Sequence, residues 1–344
     1  MSRAAEVFQA DCLEWMKAQP DNSVDLVFGS PPYEAARTYG IDFDLKGQEW
    51  VDWMVERMVE MIRVSKGLVA MVVEGQTRKF RYSAAPVLLM ADLHRKGVHL
   101  RKPPIFHRVG IPGSGGPDWL RNDYEFIVCC TGGGKLPWSD NTAMGHPPKW
   151  APGGEMSHML TDGTRRNQWG AVGSAKGMGA KDKHGKARPT SRPSHVVGKV
   201  GEMTAIMEKR GAEPKVAAAL ENGMPPGAKL HTKCDGEEMR VQCYTPPVLA
   251  NPGNVIKCIV GGGVMGSKLA HENEAPFPES LAEFFVRSFC PPGGLVYDPF
   301  SGSGTTGAVC LKHGRNYVGT DIRESQVALS RRRVSEIQPV LIPQ

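Results

Sequence analysis

The chain has 344 residues, 40% hydrophobic and 23% charged, with a formal net charge of +6. That is the profile of an ordinary soluble protein with a sizeable core and two or so domains. No apolar stretch approaches the roughly 18 residues of a membrane span, and the N-terminal "MSRAAEVFQADCLEW" lacks a signal-peptide core, so a cytoplasmic protein is expected.

Three zones follow in chain order. In residues 1–134 strands alternate with helices. "SVDLVFGS" reads as a strand. "EWVDWMVERMVEMIRVS" carries Trp50, Trp53, Met54, Met58, Met61 and Ile62 at helical spacing. "GLVAMVVEG" reads as a buried strand, "AAPVLLMADLHRKG" as a helix ending before Gly97, and "DYEFIVCCT" as a third strand. Such alternation predicts a largely parallel sheet with helices on both faces.

Residues 135–265 differ. They are rich in Gly, Pro, Lys and Arg and carry little periodicity. From Asp162 to Lys199, nine basic residues face only Asp162 and Asp182, so the stretch suits either a solvated loop or a phosphate backbone. "EMTAIMEKRGAEPKVAAALENG" predicts one or two short helices. None of the eight cysteines forms a C-x-x-C pair, and His231, Cys234 and Cys243 fit no common zinc spacing, so no metal is expected.

Residues 266–344 return to α/β patterning. "PESLAEFFVRSFC" is a helix with an apolar stripe at Leu281, Phe284, Phe285 and Phe289. "GLVYDPF" and "RNYVGTDI" are strands, and "GTTGAVCLKHG" and "ESQVALSRRRVSEI" are helices. Gly302, Gly304 and Gly307 match G-x-G-x-x-G between a strand and a helix, where unpaired N–H groups face an anion. Fourteen residues after Gly307, Asp321 ends the next strand, placed to take both hydroxyls of a ribose. This pattern suits a dinucleotide enzyme and an S-adenosylmethionine enzyme equally. The hydroxyls of Ser301, Ser303, Thr305 and Thr306 suit the amino-acid moiety of the second.

"SPPY" at Ser30–Tyr33 together with "DPFSGSGTT" at Asp298–Thr306 resembles the amino-group DNA methyltransferases. The tetrapeptide comes first and the glycine loop last, with a variable segment between, which is similar to the β group of that family. The resemblance covers residues 7–134 and 266–337. It implies a Rossmann-like S-adenosylmethionine-dependent methyltransferase fold, α/β with a mostly parallel sheet, interrupted by a basic, loop-rich target-recognition insertion at 135–265. It implies a cofactor-binding set of Asp11, Phe277, Glu279, Asp298, Phe300, Ser301, Gly302, Ser303, Gly304, Thr305, Thr306 and Asp321. Asp11 matches the aspartate that faces the cofactor adenine, and it also suits a helix N-cap. Phe277-Pro278 stands where many relatives carry Lys-Pro, so no lysine contact carries over.

The expected partner is double-stranded DNA, reached through Arg165, Arg166, Lys181, Lys183, Lys186, Arg188 and Arg192. A bacterial or phage source, a separate restriction endonuclease chain and a homodimer all fit the resemblance.

The catalytic set is Ser30, Pro31, Pro32 and Tyr33. The exocyclic amine of a base is a poor nucleophile because its lone pair is delocalised into the ring. Acceptors that hold its N–H groups out of plane localise that lone pair, and the Ser30 hydroxyl and Pro31 carbonyl suit this. Proline fixes φ near −65°, which sets the carbonyl direction in advance. Tyr33 offers a face on which an extruded base can stack. Methylation at cytosine C5 needs a cysteine nucleophile, usually as Pro-Cys; here the order is Cys290-Pro291, so that chemistry is rejected. In the family that these motifs resemble, serine at the first position goes more often with N4 of cytosine than with N6 of adenine, so the resemblance implies cytosine first, with both left open. An RNA amino-methyltransferase, a catalytically silent nucleic-acid-binding protein and a dinucleotide oxidoreductase are the weaker readings.

Overall fold

The structure is a computed structural model that describes residues 5–34, 43–110, 118–146, 249–260, 266–273 and 276–337, and the backbone of 228–231 and 240–243. The first half runs β1 (Ala5–Gln9), α1 (Cys12–Lys17), β2 (Val24–Gly29), α2 (Gly47–Val64), β3 (Ser65–Val73), β4 (Thr77–Arg78), β5 (Arg81–Tyr82), α3 (Ala85–Arg95), β6 (His99–Leu100), β7 (Ile105–Val109) and β8 (Tyr124–Thr131). Then come β9 (Ala228–His231), β10 (Arg240–Cys243), β11 (Val255–Ile259), a 3₁₀ turn (Lys268–Glu272), α4 (Glu279–Phe289), β12 (Leu295–Asp298), α5 (Thr305–Lys312), β13 (Asn316–Asp321) and α6 (Glu324–Ser335).

A nine-stranded sheet runs in the order β1-β13-β12-β2-β3-β8-β7-β11, with β6 also on β8. Strands β1 to β3 along this path pair in parallel, as do β7 and β11. Strand β8 does not follow the parallel expectation: it runs antiparallel to β3, β6 and β7. The reason lies in the connection. β7 and β8 are consecutive and pair directly, with Ile105 opposite Phe126, so the chain turns back as a hairpin does instead of crossing over by a helix.

Alternation along β3 shows how the sheet is covered. Leu68, Ala70 and Val72 face one core with Phe28, Phe285, Val309 and Tyr317. Val69, Met71 and Val73 face the other with Trp50, Met54, Met58, Met61 and Leu89. Helices α1 to α3 therefore cover one face, and α4 to α6 the other. The aromatic stripe of α4 belongs to the core: Phe285 is fully buried and stacks on Phe28 at 4.8 Å between centroids. Burying each such side chain contributes about 2–3 kcal/mol.

The chain divides into one unit of Met1–Gly145 with Asn251–Gln344, and another of His146–Ala250. The first holds the large sheet. It includes β11, which lies in the stretch read from sequence as part of the middle region and extends the sheet beside β7. The second unit includes the antiparallel pair β9–β10. The basic stretch from 162 to 199, with all seven expected DNA-contacting residues, and the helices expected in 202–223 lie outside the described residues. Among the described residues, no helix is long and apolar enough to cross a membrane.

Candidate active site

Parallel pairing brings the carboxyl ends of β2, β12, β13 and β1 to one edge. Gly29 ends β2, Asp298 ends β12 and Asp321 ends β13. The two motifs, some 270 residues apart in sequence, touch here. A Cβ added at Gly29 would collide with Asp298 Oδ1 and lie 3.2 Å from its Cγ, so glycine is what lets the carboxyl sit against the strand.

At the corner after β2, the Ser30 hydroxyl lies 3.3 Å from the Val72 carbonyl and 3.3 Å from the Tyr33 hydroxyl. Its single proton goes to one of these, which leaves an oxygen lone pair for an incoming N–H donor. Tyr33 Oη donates to Glu125 Oε2 at 2.8 Å, and Arg108 pairs with Glu125 Oε1 at 3.0 Å. The tyrosine ring is thus held by its tip. The Pro32 carbonyl accepts from Trp50 Nε1 at 2.9 Å, while among the described residues the buried Pro31 carbonyl accepts no hydrogen bond. Buried Glu34 completes the corner. Its carboxylate accepts from Gly47 N at 2.8 Å, capping α2 from a distance, and from Gln76 N at 3.4 Å.

The glycine loop has a different interior from the one expected. Gly304 adopts φ 74° and packs so closely that a Cβ there would come 2.5 Å from Ser330 Oγ. The loop hydroxyls turn inward. Ser301 Oγ bonds the Tyr317 and Ser330 hydroxyls, each at 2.8 Å. Ser303 and Thr305 accept from Arg333, at 3.2 and 2.8 Å. These three hydroxyls hold the loop's shape, and the loop's Ser301 and Gly304 N–H groups donate to the Thr320 and Ser301 carbonyls, each at 2.8 Å. Asp321 also serves the loop: its Oδ2 accepts from Gly302 N at 3.0 Å and its Oδ1 from Arg323 N at 2.9 Å.

Asp298 is nearly inaccessible. Burial pushes its carboxyl up to about 7, with Asp321 adding to the rise, while the Phe300 N–H at 3.0 Å and the neighbouring Thr306 oppose it. Buried Thr306 Oγ1 makes no regular hydrogen bond. Among the described residues no cation pairs with this acid and the hydroxyl beside it finds no partner, which fits a ligand that carries positive charge and donors.

On the α2 side, Asp11 caps α1, accepting from Leu13 N at 2.8 Å, and its other oxygen pairs with Arg57 at 3.2 Å. Arg57 lies 4.1 Å above the Trp53 ring, and Trp53 is 5.9 Å from the Phe300 ring. Asp11 and Phe300 therefore share one aromatic cluster. Phe277 packs edge-on against Phe28 at 5.4 Å, directly beneath the corner. The Glu279 carboxylate is engaged by Lys312 at 2.5 Å and Arg333 at 2.8 Å, so it supports the loop from behind.

Several residues of this edge stand outside the set of site residues expected from the sequence. Arg333 reads as one of three consecutive surface arginines, yet it is 1% exposed. Trp53 and Arg57 read as ordinary helix positions. Glu125 sits inside an apolar strand, where a charged residue is itself a cue. Glu74, at the end of β3, is buried; burial pushes its carboxyl up to about 7, and its Oε2 has no hydrogen-bond partner.

A mixed, mostly parallel sheet with a glycine loop and acidic residues along one carboxyl edge fits the Rossmann-like fold of the S-adenosylmethionine-dependent methyltransferases. The model of the N6/N4 methyltransferase family described as DNA methylase matches residues 24–332, and the chain belongs to that family. It is 23% identical over 383 aligned positions to the type II methyltransferase M.SfiI of Streptomyces fimbriatus, covering 92% of this chain and 88% of that one. It is 21% identical to the DNA adenine methyltransferase YhdJ of Escherichia coli K12, covering 97% and 83%. The match to the orphan methyltransferase M.BamHII of Bacillus amyloliquefaciens is 39% identical over 67 residues, spanning 20% of this chain and 25% of that one. Among solved structures, the cytosine-N4-specific PvuII DNA methyltransferase shares the fold, with a TM-score of 0.55 and 16% identity, over 96% of this chain and 88% of that one.

Proposed function

We propose that this chain moves a methyl group from S-adenosylmethionine to the exocyclic amino group of a base flipped out of duplex DNA, with N4 of cytosine favoured over N6 of adenine. The observation that carries the reading is the contact between Gly29 and Asp298, which places the Ser30–Tyr33 corner beside the glycine loop.

S-adenosylmethionine supplies an electrophilic methyl on a sulfonium. Its holders would be the glycine loop, the Asp298 and Thr306 pair, Asp321 for the ribose, and the Asp11–Phe300 side for the adenine. Ser30 Oγ and the Pro31 carbonyl accept the two N–H groups of the target amine. Ser30 keeps its own proton on Val72 O or Tyr33, so its lone pair is turned to the amine. Holding both N–H bonds out of the ring plane would concentrate the lone pair on nitrogen; as the N–C bond formed the S–C bond would break to leave a neutral thioether, and the methylated nitrogen would then release one proton to water, so the step needs alignment more than acid–base help. Tyr33, fixed by Glu125 and Arg108, offers its face to the base. The relatives include both cytosine-N4 and adenine enzymes by name, so the preference for cytosine rests on Ser30 alone. The basic residues from Arg165 to Arg192 are proposed as backbone contacts.

The test is transfer of tritiated methyl to unmethylated genomic DNA, followed by nucleoside digestion and mass spectrometry. N4-methylcytosine is expected. N6-methyladenine would overturn the base assignment, and no transfer with cofactor bound would overturn the activity.

A further inference from the structure

At the rim of the same corner stands a small hairpin with unusual chemistry. β4 and β5 pair antiparallel, with Thr77 opposite Tyr82 and Arg78 opposite Arg81. The two loop residues, Lys79 and Phe80, have φ of 49° and 63°. That is the turn usually built from Asn-Gly or Gly-Gly, because side chains resist positive φ. A phenylalanine there is an outlier that local sequence preference does not explain. The conformation presents the ring to solvent: Phe80 is 77% exposed. Its neighbours Arg78, Lys79 and Arg81 are all cationic, and no acidic residue lies in the hairpin.

The hairpin's foot is tied to the corner. Ser83 N donates to the Gln76 carbonyl at 2.8 Å, and Gln76 N faces both Ser83 Oγ at 3.0 Å and Glu34 Oε1 at 3.4 Å. Glu34 directly follows Tyr33. Tyr82 Oη donates to Glu74 Oε1 at 3.2 Å, and the Tyr82 ring lies over Gly75, where a Cβ would come 2.7 Å from it. The tip is strained and exposed while the base is fixed to the residues around Ser30.

We propose that this hairpin is a DNA wedge: Phe80 enters the base stack beside the target nucleotide, and Arg78, Lys79 and Arg81 hold the flanking phosphates. An apolar ring between base steps lowers the cost of unstacking, and cations on either side favour a polyanion over an apolar protein surface. This inference rests on the proposed activity on duplex DNA. It adds an element that acts on the duplex, apart from the residues that act on the flipped base.

The experiment compares wild type, Phe80→Ala and Phe80→Trp on two synthetic duplexes carrying the sequence mapped from methylated genomic DNA. In one the target base is paired; in the other it faces an abasic site, so little remains to unstack. Phe80→Ala is expected to lose at least tenfold in kcat/KM on the paired duplex and less than twofold on the abasic-opposed one, with Phe80→Trp close to wild type on both. Because Phe80 is exposed, its truncation leaves packing intact, and unchanged thermal melting and cofactor binding check this. Equal rates for Phe80→Ala and wild type on the paired duplex, or equal losses on both duplexes, would overturn the wedge while leaving the methyltransferase reading in place. Absence of transfer by wild type to any DNA would instead overturn the underlying activity.

Discussion

Replacing Asp298 with asparagine keeps the size of the side chain and one acceptor oxygen but removes its proton-binding site. In the free protein this carboxyl titrates at about 7, chiefly because it is buried. A sulfonium or ammonium held nearby draws a carboxyl back toward its ordinary value of about 4. Binding then expels the proton. At pH 7 about half of the free molecules carry it, so about 0.5 proton leaves per cofactor bound, rising to about 0.9 at pH 6 and falling to about 0.1 at pH 8. Equivalently, the dissociation constant falls by up to about tenfold per unit as pH rises toward 7 and flattens above it. Isothermal titration in two buffers of different ionisation enthalpy reads the proton directly. Asp298→Asn carries any protonation change on the cofactor itself, so the difference between the proteins isolates this carboxyl. Equal proton release by wild type and Asp298→Asn at pH 6 would refute the reasoning. The same group has a stability signature. Its folded value lies above its unfolded value of 3.8, so its contribution is fully present below that value and is lost as pH rises through about 7. Between pH 5 and pH 8 the cofactor-free wild type is expected to lose roughly 3 kcal/mol that Asp298→Asn does not lose, measured by urea denaturation.

Three further outcomes follow from the same edge. Ser30→Ala removes one preorganised acceptor and is expected to lower kcat about 10²-fold or more with cofactor affinity unchanged; single-turnover methyl transfer with parallel titration reads both, and an unaltered rate would remove Ser30 from the mechanism. Gly29→Ala forces a Cβ against Asp298 and is expected to cost about 1–3 kcal/mol and weaken cofactor binding. Adding Asp298→Ala makes room for that methyl, so chemical denaturation of the double variant should recover most of the loss, and strict additivity would show that the two do not touch. Arg333→Ala strips the loop of the donor shared by Ser303 and Thr305 and is expected to cost about 3 kcal/mol, since Glu279 keeps Lys312 as a partner; a higher KM for the cofactor should accompany it in steady-state assays.

The elements that periodicity reveals were legible because each has one dominant burial pattern. The stripe along α2 and the continuous apolar run of β3 leave little choice of structure. The polarity of β8 was not legible, because an apolar run buried on both faces reads the same in either direction, and only the pairing of Ile105 with Phe126 fixes it. The glycine loop was legible as a loop but not in its contacts. Ser301 finds its partners 16 and 29 residues away, in Tyr317 and Ser330, and a local pattern of hydroxyls carries no sign of them. Arg333 is the sharper case. Its burial follows from where α6 lies against the loop, and the sequence "RRR" is equally good for a solvated helix face.

The order of motifs along the chain matters less to this site than the direction of the strands. β1, from the N-terminal end, pairs in register with β13, from the C-terminal end, so that Gln9 faces Asp321. Arg331 of α6 reaches back to the Val7 carbonyl at 2.7 Å, and Asp25 of β2 accepts from Leu295 N at 2.8 Å. Each bond joins segments more than 260 residues apart, along the strands whose carboxyl ends lead to Asp11, Ser30, Asp298 and Asp321. Any parallel sheet with these strands adjacent would present the same four residues together, whichever segment the chain visited first. What ties the site to this particular sequence is narrower: a strand that ends in glycine, so that an acid can be buried against it, followed at once by a hydroxyl and two prolines that cannot move away.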